Sequence, residues 1–130
     1  GIGCAGCHRA PEFDIDPNSR NNGVVGVYNN TGEDLTVTRS PSLRDVVNGS
    51  GSSNGAFFHN SSATTLSEVL DHYNVIQDNS QLDPRLRPGG NNPQNLNMTE
   101  QEMNDVIAFI QTLSGQEVYT DDKWSNPFIN

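Results

Sequence analysis

Apolar residues recur at helical spacing in two segments of an otherwise polar chain. The first helix is predicted to begin after Thr65, because Thr65 and Glu68 have the spacing of a capping box. Its apolar residues are three or four positions apart and share one face: Leu66, Val69, Leu70 and Tyr73. This pattern is typical of a short amphipathic helix packed against a core.

The second helix is predicted to begin after Thr99, where Thr99 and Glu102 repeat the capping-box spacing. Gly115 supplies a stop signal at its carboxyl end. Its apolar stripe consists of Met103, Val106, Ile107, Ile110 and Leu113. The pattern thus predicts two helices, and only one short alternating stretch, at residues 35–38, interrupts the remaining chain.

Loops are expected to form most of the remaining chain. The sequence contains 12 glycines and 7 prolines, and several of them fall between residues 78 and 97. Loops of this length within a compact domain are uncommon and are often functional. Because only 32% of the residues are hydrophobic, we expect a large apolar group to complete the interior.

The charge balance excludes several kinds of partner. The sequence contains sixteen acidic and seven basic residues, which gives a net charge of −9 and a pI of about 4.4. Nucleic acids and anionic membrane surfaces need clustered Lys and Arg, so neither is expected to bind. No apolar run approaches the roughly 20 residues of a membrane span. An acidic surface favours a partner protein with a basic docking surface.

The two cysteines indicate a specific cofactor. Cys4 and Cys7 are followed directly by His8, and Cys-x-x-Cys-His is the attachment signature of c-type haem. Each thiol can form a thioether to one haem vinyl group, and the adjacent histidine is placed to be the proximal iron ligand. The sequence therefore predicts one covalent haem c, which would supply the missing apolar interior.

Three other interpretations of the cysteines are less favourable. A thioredoxin-like redox pair needs an upstream strand, and only three residues precede Cys4. A zinc site needs four ligands, and a second cysteine pair is absent. A disulfide between Cys4 and Cys7 would close a loop too small to stabilise the fold.

Four further segments resemble a known family in the order in which they occur. The chain resembles the carboxyl-terminal haem domain of bacterial dihaem cytochrome c peroxidases and their MauG relatives. The matching segments are RSPSLRDV (39–46), FFHNSSATTLSEV (57–69), HYN (72–74) and TEQEMNDVIAFIQTLSG (99–115). The resemblance implies an all-α, cytochrome c-like domain with long loops around a covalently bound haem, with a core at about residues 1–115 and a tail at 116–130.

The resemblance also implies a larger protein and a function. Family domains have a helix before the haem motif, so an amino-terminal helix and a partner haem domain are expected to lie outside this chain. The expected role is electron transfer through haem within a peroxidase or MauG-like enzyme, exported to the bacterial periplasm. Two alternatives remain open: a free monohaem electron carrier without catalysis, and a peroxidase in its own right.

The sixth iron ligand has two main candidates. Aligning Phe58-His59 with the family pattern puts Tyr73 where the peroxidases have a Met ligand and MauG-like proteins a Tyr. Met98 lies in a polar loop before a helix, where small electron carriers place their ligand. Tyrosinate would lower the haem potential, whereas Met would raise it. Tyr73 as a core residue and Met98 as an apolar contact on the second helix are the structural alternatives.

The remaining candidates are polar residues near the predicted haem. His59 corresponds to a family histidine between the two haems, and a loop role is its alternative. Arg39 and Arg44 are predicted to meet the haem propionates, since a planar guanidinium suits carboxylates; ion pairs with Asp45 or Glu33 are the alternative.

Two further expectations concern the loop before Phe57 and the first helix. The resemblance implies a Ca²⁺ site on backbone carbonyls, with Asn54 and Ala56 at the matching positions, although this loop is longer than in the family. His72 is expected on the helix surface.

Overall fold

The computed structural model describes residues 3–13, 16–26 and 35–128. Its regular structure within these residues consists of three α-helices: α1 (Leu66–Asn74), α2 (Glu100–Gln111) and α3 (Glu117–Thr120). Short 3₁₀ turns occur at Cys4–Gly6, Pro84–Leu86 and Asp122–Trp124. The described residues contain isolated β-bridges and no β-strand, which confirms the all-α prediction.

Helix α1 begins as its sequence predicts. The Thr65 side chain accepts a hydrogen bond from the Glu68 backbone N–H at 3.2 Å, and the Glu68 carboxylate accepts from the Thr65 backbone N–H at 3.0 Å. Glu68 also accepts from the Thr64 backbone, and these bonds hold its pKa below the ordinary value. The reciprocal bonds satisfy donors that the first turn of a helix leaves unpaired.

Helix α2 has the same cap and ends earlier than expected. Thr99 and Glu102 form the predicted capping box. The helix ends at Gln111 rather than near Gly115, because the backbone N–H of Leu113 turns to the Ile110 carbonyl in a tighter i→i+3 bond. The predicted apolar stripe is nevertheless on the inner side, with Ile110 buried.

A small apolar core joins the two helices to the preceding loop. Val47, Leu66 and Ile110 are buried against one another, and Val46, Phe57, Val106 and Ile107 pack around them. This core is modest, as the composition predicts. It fixes α1 against α2 and leaves the carboxyl end of α1 free to serve a second cluster.

The long loop between α1 and α2 is held by buried polar groups as well as by the buried side chains of Ile76 and Leu82. Asn21 is completely buried; its side-chain amide donates to the Thr36 carbonyl at 2.9 Å and its Oδ1 accepts from Asn79 at 2.9 Å. Its carbonyl accepts from the Asp83 backbone N–H at 2.9 Å. These bonds tie residues 79–83 to the amino-terminal segment that carries the cysteines.

The tail is attached through α3. The Tyr119 hydroxyl accepts a hydrogen bond of 2.8 Å from the Asn54 amide, which also donates to the Asp45 carbonyl at 2.6 Å. No helix within the described residues has both the length and the apolar character needed to cross a bilayer.

Candidate haem-binding site

The cysteine motif forms a single tight turn at the start of the described chain. Gly3 precedes it with φ = 78°, a backbone conformation that glycine adopts without strain. The backbone N–H groups of Cys7 and His8 both donate to the Cys4 carbonyl, at 3.1 and 2.9 Å. Local hydrogen bonds therefore bring both cysteines and His8 onto one short turn.

Neither cysteine forms a disulfide, and both thiols are less acidic than those of ordinary cysteines. Cys7 is half-buried, and desolvation raises its pKa despite a hydrogen bond with Ser40 and the nearby Arg85 charge. Desolvation also raises the pKa of Cys4, although the residue as a whole is exposed. The described residues contain no group of three His, Cys, Asp or Glu side chains that could hold a metal ion.

The surroundings of His8 favour the neutral imidazole, which is the form that binds a metal. Burial lowers its pKa, opposed by the backbone carbonyl of Pro41 and the charge of Asp16. Its Nδ1 is buried and has no hydrogen-bond partner among the described residues, so it is an orphaned polar atom. Two thiols that form no disulfide and a neutral imidazole on one turn fit covalent haem c.

Tyr73 lies close enough to the two cysteines for their charges to act on its hydroxyl, although it is far from them in sequence. Burial raises the pKa of its hydroxyl to about 12, and the charges of Cys7 and Cys4 act in the same direction. A hydrogen bond with the Asn22 side chain partly opposes this rise. The structure therefore brings one of the two predicted distal candidates to the attachment turn.

Met98, the other candidate, is half-buried just before α2. Its backbone N–H donates to the Asn74 side chain at 2.8 Å and so connects the end of α1 with the start of α2. This backbone contact links the two helices and does not involve the Met98 sulfur.

His72 is not the surface residue that its sequence position suggests. It is half-buried, with Nε2 2.8 Å from the Asn22 carbonyl and its ring centroid 4.8 Å from that of Phe58. The ring centroids of His72 and Tyr73 are 5.1 Å apart. The carboxyl end of α1 therefore places two consecutive side chains in one half-buried aromatic cluster with Phe58, which helical spacing alone did not reveal.

The two predicted propionate ligands and His59 occupy exposed positions. Arg44 donates to the carbonyls of Pro11 and Glu12, each at 3.1 Å, and pairs with the Glu12 carboxylate at 3.2 Å. Its partner is thus Glu12 rather than Asp45, and Glu33 lies outside the described residues. Arg39 and His59 are exposed on the loops that precede residue 41 and α1.

Sequence reasoning missed a basic residue that contacts the attachment turn. Arg85 donates from Nη1 to the Gly6 carbonyl at 2.8 Å and is bonded to Asp83 and Asp16. No spacing rule connects positions 6 and 85. Asp83, two positions before Arg85, was the local signal for an ion pair, and nothing in the sequence indicated Asp16 or Gly6.

Known proteins resemble this chain over most of its length. Residues 2–114 match the family Cytochrome c. Over 91 residues, 69% of this chain, the sequence is 33% identical to cytochrome-c peroxidase IdrP1 of Denitromonas iodatirespirans, of which it covers 21%. The fold is similar to that of a MauG-like protein associated with microbial copper homeostasis, with a TM-score of 0.62 and 23% identity.

That structural match covers 98% of this chain and 44% of the MauG-like protein. The chain thus spans about a fifth of the peroxidase and under half of the MauG-like protein. Both likenesses agree with the predicted relationship to dihaem peroxidases and MauG. The family match over residues 2–114, together with a Cys-x-x-Cys-His turn built to carry haem, shows that this chain belongs to the cytochrome c family, as an electron-transfer domain.

Proposed function

We propose that the chain is the electron-transfer haem domain of a peroxidase or MauG-type enzyme, with Tyr73 as the distal iron ligand. Cys4 and Cys7 would hold one haem c, and His8 would bind the iron on the proximal side. The bound haem would supply a one-electron couple between ferric and ferrous iron. The observation that carries the proposal is the burial of the Tyr73 hydroxyl beside the two attachment cysteines.

The residues around Tyr73 support this role by positioning its phenol. Helix α1 is buried at Leu66 and Leu70, and its last turn is bonded to the following loop, where the Gln94 side chain donates to the Tyr73 carbonyl at 2.8 Å. Phe58 packs edge-on against Tyr73, with ring centroids 6.1 Å apart. Phe58 has φ = 65°, a left-handed conformation that a bulky residue adopts at a cost of order 1–3 kcal/mol. The loop before α1 is thus shaped to bring an aromatic ring to this pocket.

A buried phenol with a raised pKa favours the protonated form until a cation binds it. Ligation to ferric iron would replace the hydroxyl proton, and the anionic oxygen would stabilise the oxidised metal. A low potential suits a domain that stores oxidising equivalents in a larger enzyme. A carrier in a high-potential chain would be better served by a Met ligand such as Met98.

Further features of the parent enzyme are part of the same proposal. A second haem domain, a redox partner with a basic docking surface and export to the periplasm follow from the relationship to the peroxidases. The net charge of −9 supports the basic partner. A Ca²⁺ site on the carbonyls of Asn54 and Ala56 is also proposed; the Asn54 amide nitrogen already bonds Tyr119 and Asp45.

The distal ligand can be tested on the full chain produced in a host that matures c-type cytochromes. Tyr73→Phe keeps the ring and removes the ligand oxygen, so we expect loss of the low-spin ferric spectrum and a higher reduction potential. Tyr119→Phe is the matched control, because Tyr119 is half exposed on α3, and it should change neither property.

Met98→Leu separates the two candidates. If Met98 bound the iron, the oxidised protein would show a near-infrared sulfur-to-iron band that disappears in Met98→Leu. That result, or an unchanged spectrum in Tyr73→Phe, would refute Tyr73 as ligand and favour the monohaem electron carrier.

A further inference from the structure

Arg85 contacts the haem-attachment turn although it lies 79 positions from Gly6 in the sequence. It lies in the 3₁₀ turn Pro84–Leu86, and its Nη1 donates to the Gly6 carbonyl at 2.8 Å. Gly6 stands between the two cysteines, and a Cβ added to Gly6 would lie 3.6 Å from Arg85 Cδ. The arginine side chain therefore packs along the turn as well as bonding to it.

The guanidinium is held in this position by two carboxylates. Arg85 Nε and Nη2 form a fork with Asp83, at 2.9 and 2.7 Å, and Nη1 also bonds the Asp16 carboxylate. Asp83 is only 3% exposed, and it accepts further bonds from the backbone N–H groups of Arg20 and Arg85. Such a two-bond fork sets the orientation of the guanidinium plane, which a lysine could not do.

Arg85, Asp83 and Asp16 together carry a net negative charge next to Cys7. One guanidinium and two carboxylates sum to −1 beside the attachment turn. The Arg85 charge favours the thiolate of Cys7, whereas Asp83 and Asp16 oppose it, so all three charges act at the sulfur. Without Arg85, two buried or half-buried carboxylates would face the turn uncompensated, which is electrostatically costly.

Resting on the proposed function, we propose that Arg85 is a positioning residue of the haem domain. Its bond to the Gly6 carbonyl holds the attachment turn in one conformation. Its positive charge offsets Asp16 and Asp83 and so keeps the reduction potential of the haem above the value that two carboxylates alone would set. Neither the family match nor the relatives assign a role to this residue.

The test uses three single variants of the full chain, matured with haem. Arg85→Gln removes the charge; we expect a lower reduction potential, with the ratio of oxidised to reduced protein at a fixed potential increased roughly threefold to tenfold. Asp16→Asn removes one negative charge and should shift the potential in the opposite direction. Arg85→Lys keeps the charge without the fork and should restore most of the potential.

Arg87→Gln is the matched control. Arg87 lies two residues from Arg85 and pairs with the exposed Asp78 and the Asn79 carbonyl. Its replacement should leave the potential unchanged. Covalent haem content, measured by mass spectrometry of the intact protein, should fall in Arg85→Gln and stay at the wild-type level in Arg87→Gln.

The outcomes separate this inference from the proposed function. If Arg85→Gln and Arg87→Gln have the same potential and haem content, or if Arg85→Gln and Asp16→Asn shift the potential in the same direction, the role of Arg85 is refuted. If the wild-type chain takes up no covalent haem, the proposed function itself is wrong. Should Arg85→Gln fail to fold, Asp16→Asn and Arg85→Lys still give the sign of the charge effect.

Discussion

At the scale of single residues, one arginine joins the attachment turn to the long loop before α2. Arg85 donates to the Gly6 carbonyl at 2.8 Å, and its guanidinium also pairs with the carboxylates of Asp16 and Asp83. Asp83 is only 3% exposed, so its charge is poorly screened by solvent. The strength of this contact therefore depends on the ionisation of the two carboxylates.

The ion pair of Asp83 predicts how stability depends on pH. Its bonds with Arg85 lower the pKa of the Asp83 carboxyl from 3.8 to about 2 in the folded protein. A depressed carboxyl pKa contributes stability above the unfolded value near 4, and this contribution is lost as the pH falls toward 2. We expect the pair to contribute on the order of 1–2 kcal/mol at neutral pH.

Denaturant unfolding followed by circular dichroism at pH 7, 4, 3 and 2 measures this effect. Asp83→Asn should be less stable than wild type at pH 7, and the difference should shrink as the pH falls from about 4 to 2. Asp78→Asn, which breaks an exposed pair with Arg87, should cost no more than about 0.5 kcal/mol. A difference between Asp83→Asn and wild type that stays constant with pH would contradict the prediction.

At the scale of elements, the two capping boxes were the sequence signals that best predicted where the helices begin. A Thr with Glu three residues later occurs at Thr65 and Thr99, and both form the reciprocal bonds in the structure. The bonds join residues within four positions of each other, so the sequence contains all the information they need. The carboxyl end of α2 was predicted less well, since Thr112 and Leu113 tighten the last turn before Gly115.

The capping boxes predict matched losses of stability. Thr65→Ala and Thr99→Ala should each lower the free energy of unfolding by about 1 kcal/mol, because each leaves a helical N–H unpaired. Ser67→Ala is the control: Ser67 is exposed in the first turn of α1, and the change should stay within about 0.5 kcal/mol of wild type. Equal effects of Thr65→Ala and Ser67→Ala in thermal unfolding would show that the cap is not stabilising.

At the scale of the whole molecule, the two main features are a small apolar core and a negative net charge. The core around Val47, Leu66 and Ile110 is limited, and much of the remaining interior is built from polar loops. These loops surround a turn whose chemistry fits haem. A porphyrin would add apolar area that the side chains lack. The net charge is −9, and the chain contains a single lysine, Lys123.

The net charge predicts how small redox reagents react with the matured protein. A cationic reductant should react faster at low salt, and its rate constant should fall by roughly tenfold as ionic strength rises from about 10 mM to 0.5 M. An anionic reductant should show the opposite trend, and a neutral one should show almost none. Stopped-flow measurement of haem reduction provides the rates; parallel salt effects for cation and anion would contradict a field set by net charge.

The sequence by itself determined the cofactor class, the two amphipathic helices with their caps, and the acidic character of the surface. Each depends on neighbouring residues or on simple sums over the chain. Only the tertiary structure decided which groups lie near the attachment turn: Tyr73 from the end of α1, and Arg85 from the long loop, where it pairs with Asp83 and with the distant Asp16. The physical reason is that these contacts are made by hydrogen bonds and packing between segments more than 60 residues apart, for which no sequence periodicity exists.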